Sequence, residues 1–222
     1  MLSTRSLAGS GLSLSPDPEP VSLDLVPIAL IAPRLKKIAV AVIIVGVVIG
    51  LIVSLFASNT VALLVGFIIA VPTSLAILMT LRRHITLYGT KVRAQAGFRT
   101  AEVDVAQVVS AELLVRTGRI SEASMKLTDG RSTVRIPLAL YTAGGGRELE
   151  ILALRKLADA LASSELVPAA ALSSVLIEQL RAEARGAGLA ERPLYRAVEL
   201  VTTAGRVPRT TLTDHEVAGL LD

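Results

Sequence analysis

The sequence predicts a membrane α+β protein: a two-helix transmembrane hairpin, an antiparallel β-sheet domain closed by a C-terminal helix, and then a helical tail. Three observations carry this. Two long apolar runs without a charged residue lie almost back to back, at 38–57 and 61–81. Directly after Arg83 the apolar pattern changes to an alternation of period two, the mark of half-buried strands. From Glu148 onward the period becomes helical.

Each apolar run is about 20 residues long, which at ~1.5 Å per helical residue matches the ~30 Å of bilayer hydrocarbon. Only Ser58-Asn59-Thr60 separates them, so a tight reversal is expected and both outer ends share one membrane face. Arg34, Lys36 and Lys37 precede the first run, Arg82 and Arg83 follow the second, and the turn is uncharged. Cytoplasmic flanks carry the excess of Lys and Arg, so both termini are expected in the cytoplasm and the protein in the plasma membrane with two spans. A buried helical pair in a soluble core is the alternative, and two adjacent uncharged runs of this length argue against it. Small residues recur at every fourth position, as Gly46, Gly50 and Ser54 on the first helix and Ala62, Gly66, Ala70 and Ser74 on the second. Such stripes let helices approach closely in lipid. They either pack the two spans together or, through Gly46 and Gly50, join another subunit. Pro72 is expected to bend the second span locally. Neither span contains an ionisable residue, so no ion or proton path of the kind a transporter needs is visible.

The remainder of the 222 residues supports one further domain plus tails. The chain has no cysteine, no tryptophan and two histidines, His84 and His215, which leaves little material for thiol, zinc-thiolate or histidine chemistry. Tyr88 is the nearest aromatic that could serve as an interface anchor. The net charge of +4 is juxtamembrane: residues 34–96 hold seven Lys or Arg and no acid, while the tail 166–222 is slightly negative. That distribution suits an anionic inner leaflet and argues against nucleic acid.

Residues 1–33 are expected to be disordered or extended, ending in a stretch, Val21 to Pro33, that could lie on the membrane interface, dock on the cytoplasmic domain or add an edge strand. Pro27 and Pro33 argue against one continuous helix there. In the domain at 84–164, alternation marks strands at Ile85-Leu87, Val92-Ala96, Ala101-Val105, Val109-Val115, Ala123-Leu127 and Val134-Ile136. Leu138 to Thr142 offers a short seventh. Turns fall at Gly89-Thr90, Gly97, Thr117-Gly118 and Asp129-Gly130, the last a type I′ signal. Gly144-Gly145-Gly146 lacks the Lys and Ser/Thr of a phosphate loop and reads as a connector. Glu148 to Ser163 reads as an amphipathic helix that closes the sheet. In the tail, helices are expected over 168–185 and 193–204, and Thr213 with Glu216 has capping-box spacing for a last short one. These helices either pack on the sheet or form a docking surface.

Six or seven antiparallel strands and one closing helix, joined to a membrane hairpin through Arg82-Arg83-His84-Ile-Thr-Leu-Tyr-Gly-Thr-Lys-Val-Arg, resemble the bacterial pleckstrin-homology-like membrane proteins. The resemblance covers roughly residues 35–164 and includes Tyr88-Gly89-Thr90-Lys91-Val92-Arg93 and the stretch from Glu102 to Val108. It implies a PH-like domain and carries no catalytic residue. Arg83, Lys91 and Arg93 loosely match the basic motif with which some such domains hold phosphorylated headgroups, although general attraction to acidic lipid accounts for the same cations. His84 reads as an interfacial side chain, and His215 as part of a helix N-terminal turn. Catalytic, cofactor and metal residues are expected to be absent. The leading expectation is a non-enzymatic membrane-anchored scaffold or accessory subunit with a protein partner or a second copy of itself. Recognition of an anionic headgroup is the alternative.

Overall fold

The computed structural model describes residues 19–25, 28–55, 83–97, 99–142, 145–205 and 209–221, with scattered positions between 60 and 79. It is an α+β structure with two antiparallel sheets. Strands β1 (Val21–Ser22), β2 (His84–Tyr88), β3 (Lys91–Ala96) and β4 (Arg99–Asp104) pair in that order to form the first sheet. The second runs β8 (Gly145–Glu148), β7 (Thr133–Thr142), β6 (Ser121–Thr128), β5 (Ser110–Arg116), β9 (Arg209–Thr211). The alternation seen in the sequence sends Leu87, Val92 and Val103 from one sheet, and Leu113, Met125 and Ile136 from the other, into a shared core. Helix α2 (Ile151–Ala162) adds Leu154, Leu157 and Leu161, all fully buried. Each such leucine contributes about 1.5–3 kcal/mol through the apolar area it removes from water.

Helix α1 (Ile28–Ser54) contains the one span among the described residues that is long and apolar enough to cross a membrane, Lys36–Ser54. It begins well before Ile38, so residues 28–33 are helical and not extended. Pro33 lies inside this helix, past its first turn, where it costs one backbone hydrogen bond and crowds the carbonyl four residues back, so the helix runs through a proline that the sequence reads as a break. The described positions between 60 and 79 are also helical, while the reversal at Ser58-Asn59 and most of the second run lie outside the described residues.

The domain departs from expectation at its strand ends. Val134-Ile136 and Leu138-Thr142 are one strand, β7, and the register shifts between Ala123 and Ser124 so that Pro137 faces Ser124 and Leu138 is the extra residue. A bulge of this kind lets a strand accommodate a proline that cannot donate to the ladder. Gly145 and Gly146 are strand residues of β8 and not a connector; Gly144 lies outside the described residues. A side chain at position 146 would collide with the Tyr141 ring, so only glycine lets β8 lie against β7 there. Glu148 therefore ends a strand, and the helix starts three residues later at Ile151.

Between β6 and β7 the Asp129-Gly130 turn is not type I′, because Gly130 has positive φ and no non-glycine residue described does. The loop instead spans 129–132. Asp129 Oδ1 accepts the backbone N–H of Ser132 at 2.7 Å and of Arg131 at 2.9 Å, and these bonds hold its carboxyl below the ordinary value of 3.8. A depressed pKa means the loop's bonds are complete above that ordinary value and are lost as pH falls through the lower folded one. Hydrogen exchange of the Arg131 and Ser132 amides, corrected for the intrinsic rate, is expected to show protection at neutral pH that disappears in acid; Asp129→Ala abolishes the pH dependence.

The tail is integral to the domain. Helices α3 (Val167–Ala184), α4 (Pro193–Thr203) and α5 (Asp214–Ala218) bury Leu172, Leu176, Leu194, Val201 and Val217 in the same cluster as the sheet residues, and β9 pairs antiparallel with β5. Of the two readings for these helices, the structure has them packed on the sheet. The capping box is present: Thr213 Oγ1 accepts the N–H of Glu216, whose carboxylate accepts the N–H of Thr213. His215 lies in the first turn of α5.

Candidate functional site

Three places in the fold are candidates: the root of the apolar helices, the basic strand pair and a cleft beside β8. The root is where β1, just before α1, meets β2, just after the second apolar run. Val21 lies opposite Leu87 and Ser22 opposite Thr86, and the Leu23 N–H donates to the Ile85 carbonyl at 2.8 Å. Asp24 then accepts the Ile85 N–H at 3.0 Å through Oδ1, and its Oδ2 lies 3.1 Å from His84 Nδ1. Arg147 Nε donates to the Leu25 carbonyl at 3.0 Å. The His84 side chain is 51% exposed, so its pairing with Asp24 contributes little. The strength of the root lies in Leu23 and Leu25, both buried in the domain core. At the neighbouring β3–β4 turn, a Cβ placed on Gly97 would lie 3.5 Å from Met79 Cγ, so this corner of the sheet touches the end of the second helical stretch.

The structure separates the three cations read as a headgroup motif. Arg83 is exposed at the root, whereas Lys91 pairs across from Tyr88, at the opposite end of β2. Four strand steps at ~3.4 Å put Lys91 roughly 14 Å from the His84 end, not beside the ends of the apolar segments as expected. Lys91 Nζ also lies 3.7 Å from Glu102 Oε1, and Arg93 is registered opposite Glu102. On α1, Gly46 is buried and Gly50 and Ser54 are half-buried, while Val47, Val48, Leu51 and Ile52 face outward, so the small-residue stripe is the shielded face of that helix. Ala62, Gly66, Ala70 and Ser74 lie outside the described residues.

The third place was not anticipated. Tyr141 on β7 donates from its hydroxyl to Glu148 Oε1 at 2.6 Å, and Arg192 Nη1, just ahead of α4, bonds Glu148 Oε2. Burial, followed by the adjacent Glu148 carboxylate, raises the Tyr141 pKa, so the phenol is a fixed donor. Its ring meets Tyr195 edge-on with centroids 5.1 Å apart, a favourable arrangement for aromatic pairs. Beside this trio lies a cleft of about 400 Å³, bordered by β8, the start of α2, Glu183 of α3, Leu189 and Arg192.

No protein-family model, curated protein or solved structure matches the chain.

The cleft does not assemble a nucleophile with a base. Tyr141 is held protonated, Glu148 has both oxygens engaged, and neither histidine borders the cleft. Among the described residues no group of three or more His, Asp or Glu is placed to hold a metal. Its arrangement suits binding. The sequence signal that could have located it is Gly145-Gly146 between Tyr141 and Glu148, a glycine hairpin that returns the chain with both residues on one face.

Proposed function

We propose that the chain is a non-enzymatic, membrane-anchored interaction protein: two spans, both termini in the cytoplasm, and a PH-like domain held against the inner leaflet of the plasma membrane. The observation that carries this reading is the root. Residues before the first apolar helix complete the core of the domain that follows the second run, with Leu23 and Leu25 buried in it. A flexible tether would not need this. A domain that must present one surface at a defined height above the bilayer would. The two antiparallel sheets and the closing helix α2 are in keeping with the resemblance to the bacterial PH-like family. Crosslinking in the native membrane, followed by identification of what copurifies, is the test. A specific protein partner, or a self-crosslinked oligomer, is expected; a monodisperse monomer with nothing attached removes the reading.

Anionic lipid is the second reading, favoured by the seven cations and no acid between residues 34 and 96. The pairing of Lys91 with Glu102 and the separation of Arg83, ahead of β2, from Lys91 and Arg93 on β3 favour a diffuse attraction over a headgroup pocket. Retention of acidic lipid by the purified full-length chain is therefore expected to fall with salt, since the Debye length shrinks to ~10 Å at 0.1 M. Lys91→Ala with Arg93→Ala is expected to leave headgroup preference unchanged. A preference abolished by that pair would establish a pocket instead.

A further inference from the structure

The end of the first sheet nearest the apolar helices carries two arginines that the rest of the fold leaves uncommitted. His84 pairs with Gln95 and Ala96 with Arg99, so one further step of the β2–β3 register brings Arg83 opposite Ala96. Opposite residues share a face and neighbouring strands lie ~4.8 Å apart. Arg83, Ala96 and Arg99 therefore form one row, with the two arginines roughly 10 Å apart and only the alanine methyl group between them. All three residues are exposed. Among the described residues neither arginine has a carboxylate within ion-pair distance. Asp24, the acid of the root, is engaged by His84 and the Ile85 N–H, and Glu102 by Lys91.

The turn beside this row sets its height. Gly97 follows Ala96 and is buried, and the atoms that a Cβ there would meet first all belong to Met79. Met79 lies in the uncharged run 61–81, three residues ahead of Arg82. With that run as a span, Met79 is at the cytoplasmic end of the hydrocarbon, and the headgroup layer beyond it is roughly 5–7 Å thick. A sheet corner in contact with Met79 stands among the lipid phosphates. We propose that Arg83 and Arg99 together hold the phosphodiester of one anionic inner-leaflet phospholipid over Ala96. Guanidinium forks match phosphate oxygens and bond them with charge assistance, while the arginine stems lie along the sheet end and alanine leaves the space between them open. Two positive charges favour a lipid whose phosphate is its only charge over phosphatidylcholine, which brings its own cation. The proposal rests on the reading of the chain as membrane-anchored and attracted to anionic lipid, and it adds a single firmly held lipid to the diffuse fraction. The pair lies at the opposite end of the strands from Lys91, in a row that contains no carboxylate.

The test uses the full-length chain in nanodiscs and spin-labelled phosphatidylglycerol and phosphatidylcholine, whose motionally restricted fractions give the preference of the chain for one lipid over the other. Wild type is expected to prefer phosphatidylglycerol and to keep part of that preference at raised salt, where diffuse attraction is screened. Arg83→Gln with Arg99→Gln is expected to lower the salt-resistant part about tenfold. Lys91→Gln with Arg93→Gln removes the same charge and is expected to leave it unchanged. Arg99→Gln alone, which spares the basic flank of the second span and so its topology, is expected to lose most of it. Equal losses in the two double variants, no loss in the first, or a wild-type preference that salt removes entirely overturns the site and leaves the diffuse attraction standing. No preference at low salt removes the lipid reading itself, and the site with it. Millimolar inorganic phosphate is expected not to displace the lipid; displacement identifies a soluble phosphate ligand and overturns the lipid assignment.

Discussion

Glu148→Ala is expected to lower the stability of the domain by about 3–5 kcal/mol, the range for removing one partner of a buried ion pair. The carboxylate is 7% exposed and holds two groups at once. Without it the Arg192 guanidinium, itself mostly covered, loses the anion that neutralises it, and the Tyr141 hydroxyl loses its acceptor. Those two stranded donors, more than the intrinsic strength of either bond, set the size of the effect. Glu148→Gln keeps an acceptor for the phenol but not the charge, so it falls between wild type and alanine. Tyr141→Phe costs less, about 1.5–3 kcal/mol, because it removes one bond to a charged group and leaves the edge-on contact with Tyr195. Chemical unfolding of the full-length chain in micelles, followed by a probe on β7, measures all three. A loss under about 1 kcal/mol for Glu148→Ala means that water replaces the carboxylate and that the trio does not fix the β7–β8–α4 corner. Since the Tyr141 pKa is raised, the phenol's contribution is complete below the ordinary value of 10.0 and is lost only as pH rises through the higher folded value.

That corner also marks where the sequence stops being legible. Strands with strict alternation, such as Ser110–Arg116, and helices with a clean apolar stripe, such as α2 and α4, could be read because each repeats its signal over several residues. Glu148 could not. It sits next to a helical stripe and reads as its first turn, while its true partner strand lies across a glycine hairpin in which the two strand positions opposite Tyr141 and Thr142 have no side chain to mark a face. The three residues of β9 are Arg-Thr-Thr, with no apolar member, and only the pairing with Leu114 to Arg116 makes them a strand. The tail helices were visible, but which surface they cover depends on long-range packing that no local period encodes. The sequence Val21-Ser-Leu-Asp-Leu25 does alternate, yet its partner β2 is some 60 residues away on the far side of the apolar runs. Edge strand, segment docked on the domain and segment lying along the interface are all compatible with Val21 to Pro33 as a sequence. The first two are found together in 21–25, and a helix follows from Ile28.

Leu23→Ala follows from that strand, and its expected cost is about 2–5 kcal/mol, the range for emptying a fully buried leucine site. The loss is directed. β1 pairs with β2 over only two residues, so the ladder itself is weak, and the apolar side chains at 23 and 25 are what keep it in place. With Leu23 truncated, β1 is expected to open before the rest of the sheet, and the Ile85 and Leu87 amides of β2 are the ones to follow by hydrogen exchange. Asp24→Ala acts on the same root by a different route. It removes the acceptor of the Ile85 N–H and the exposed pairing with His84, for a smaller loss of about 1 kcal/mol. If the root sets the height of the domain, Leu23→Ala also broadens the distance between a label on the β6–β7 loop and the bilayer surface, while Asp24→Ala hardly changes it. Equal distance distributions in wild type and Leu23→Ala, with the amides of β2 exposed, would mean that the second helical stretch alone fixes the domain through the Gly97–Met79 contact. Gly97→Leu then becomes the variant that tilts it, because the added side chain meets both Met79 and a positive φ.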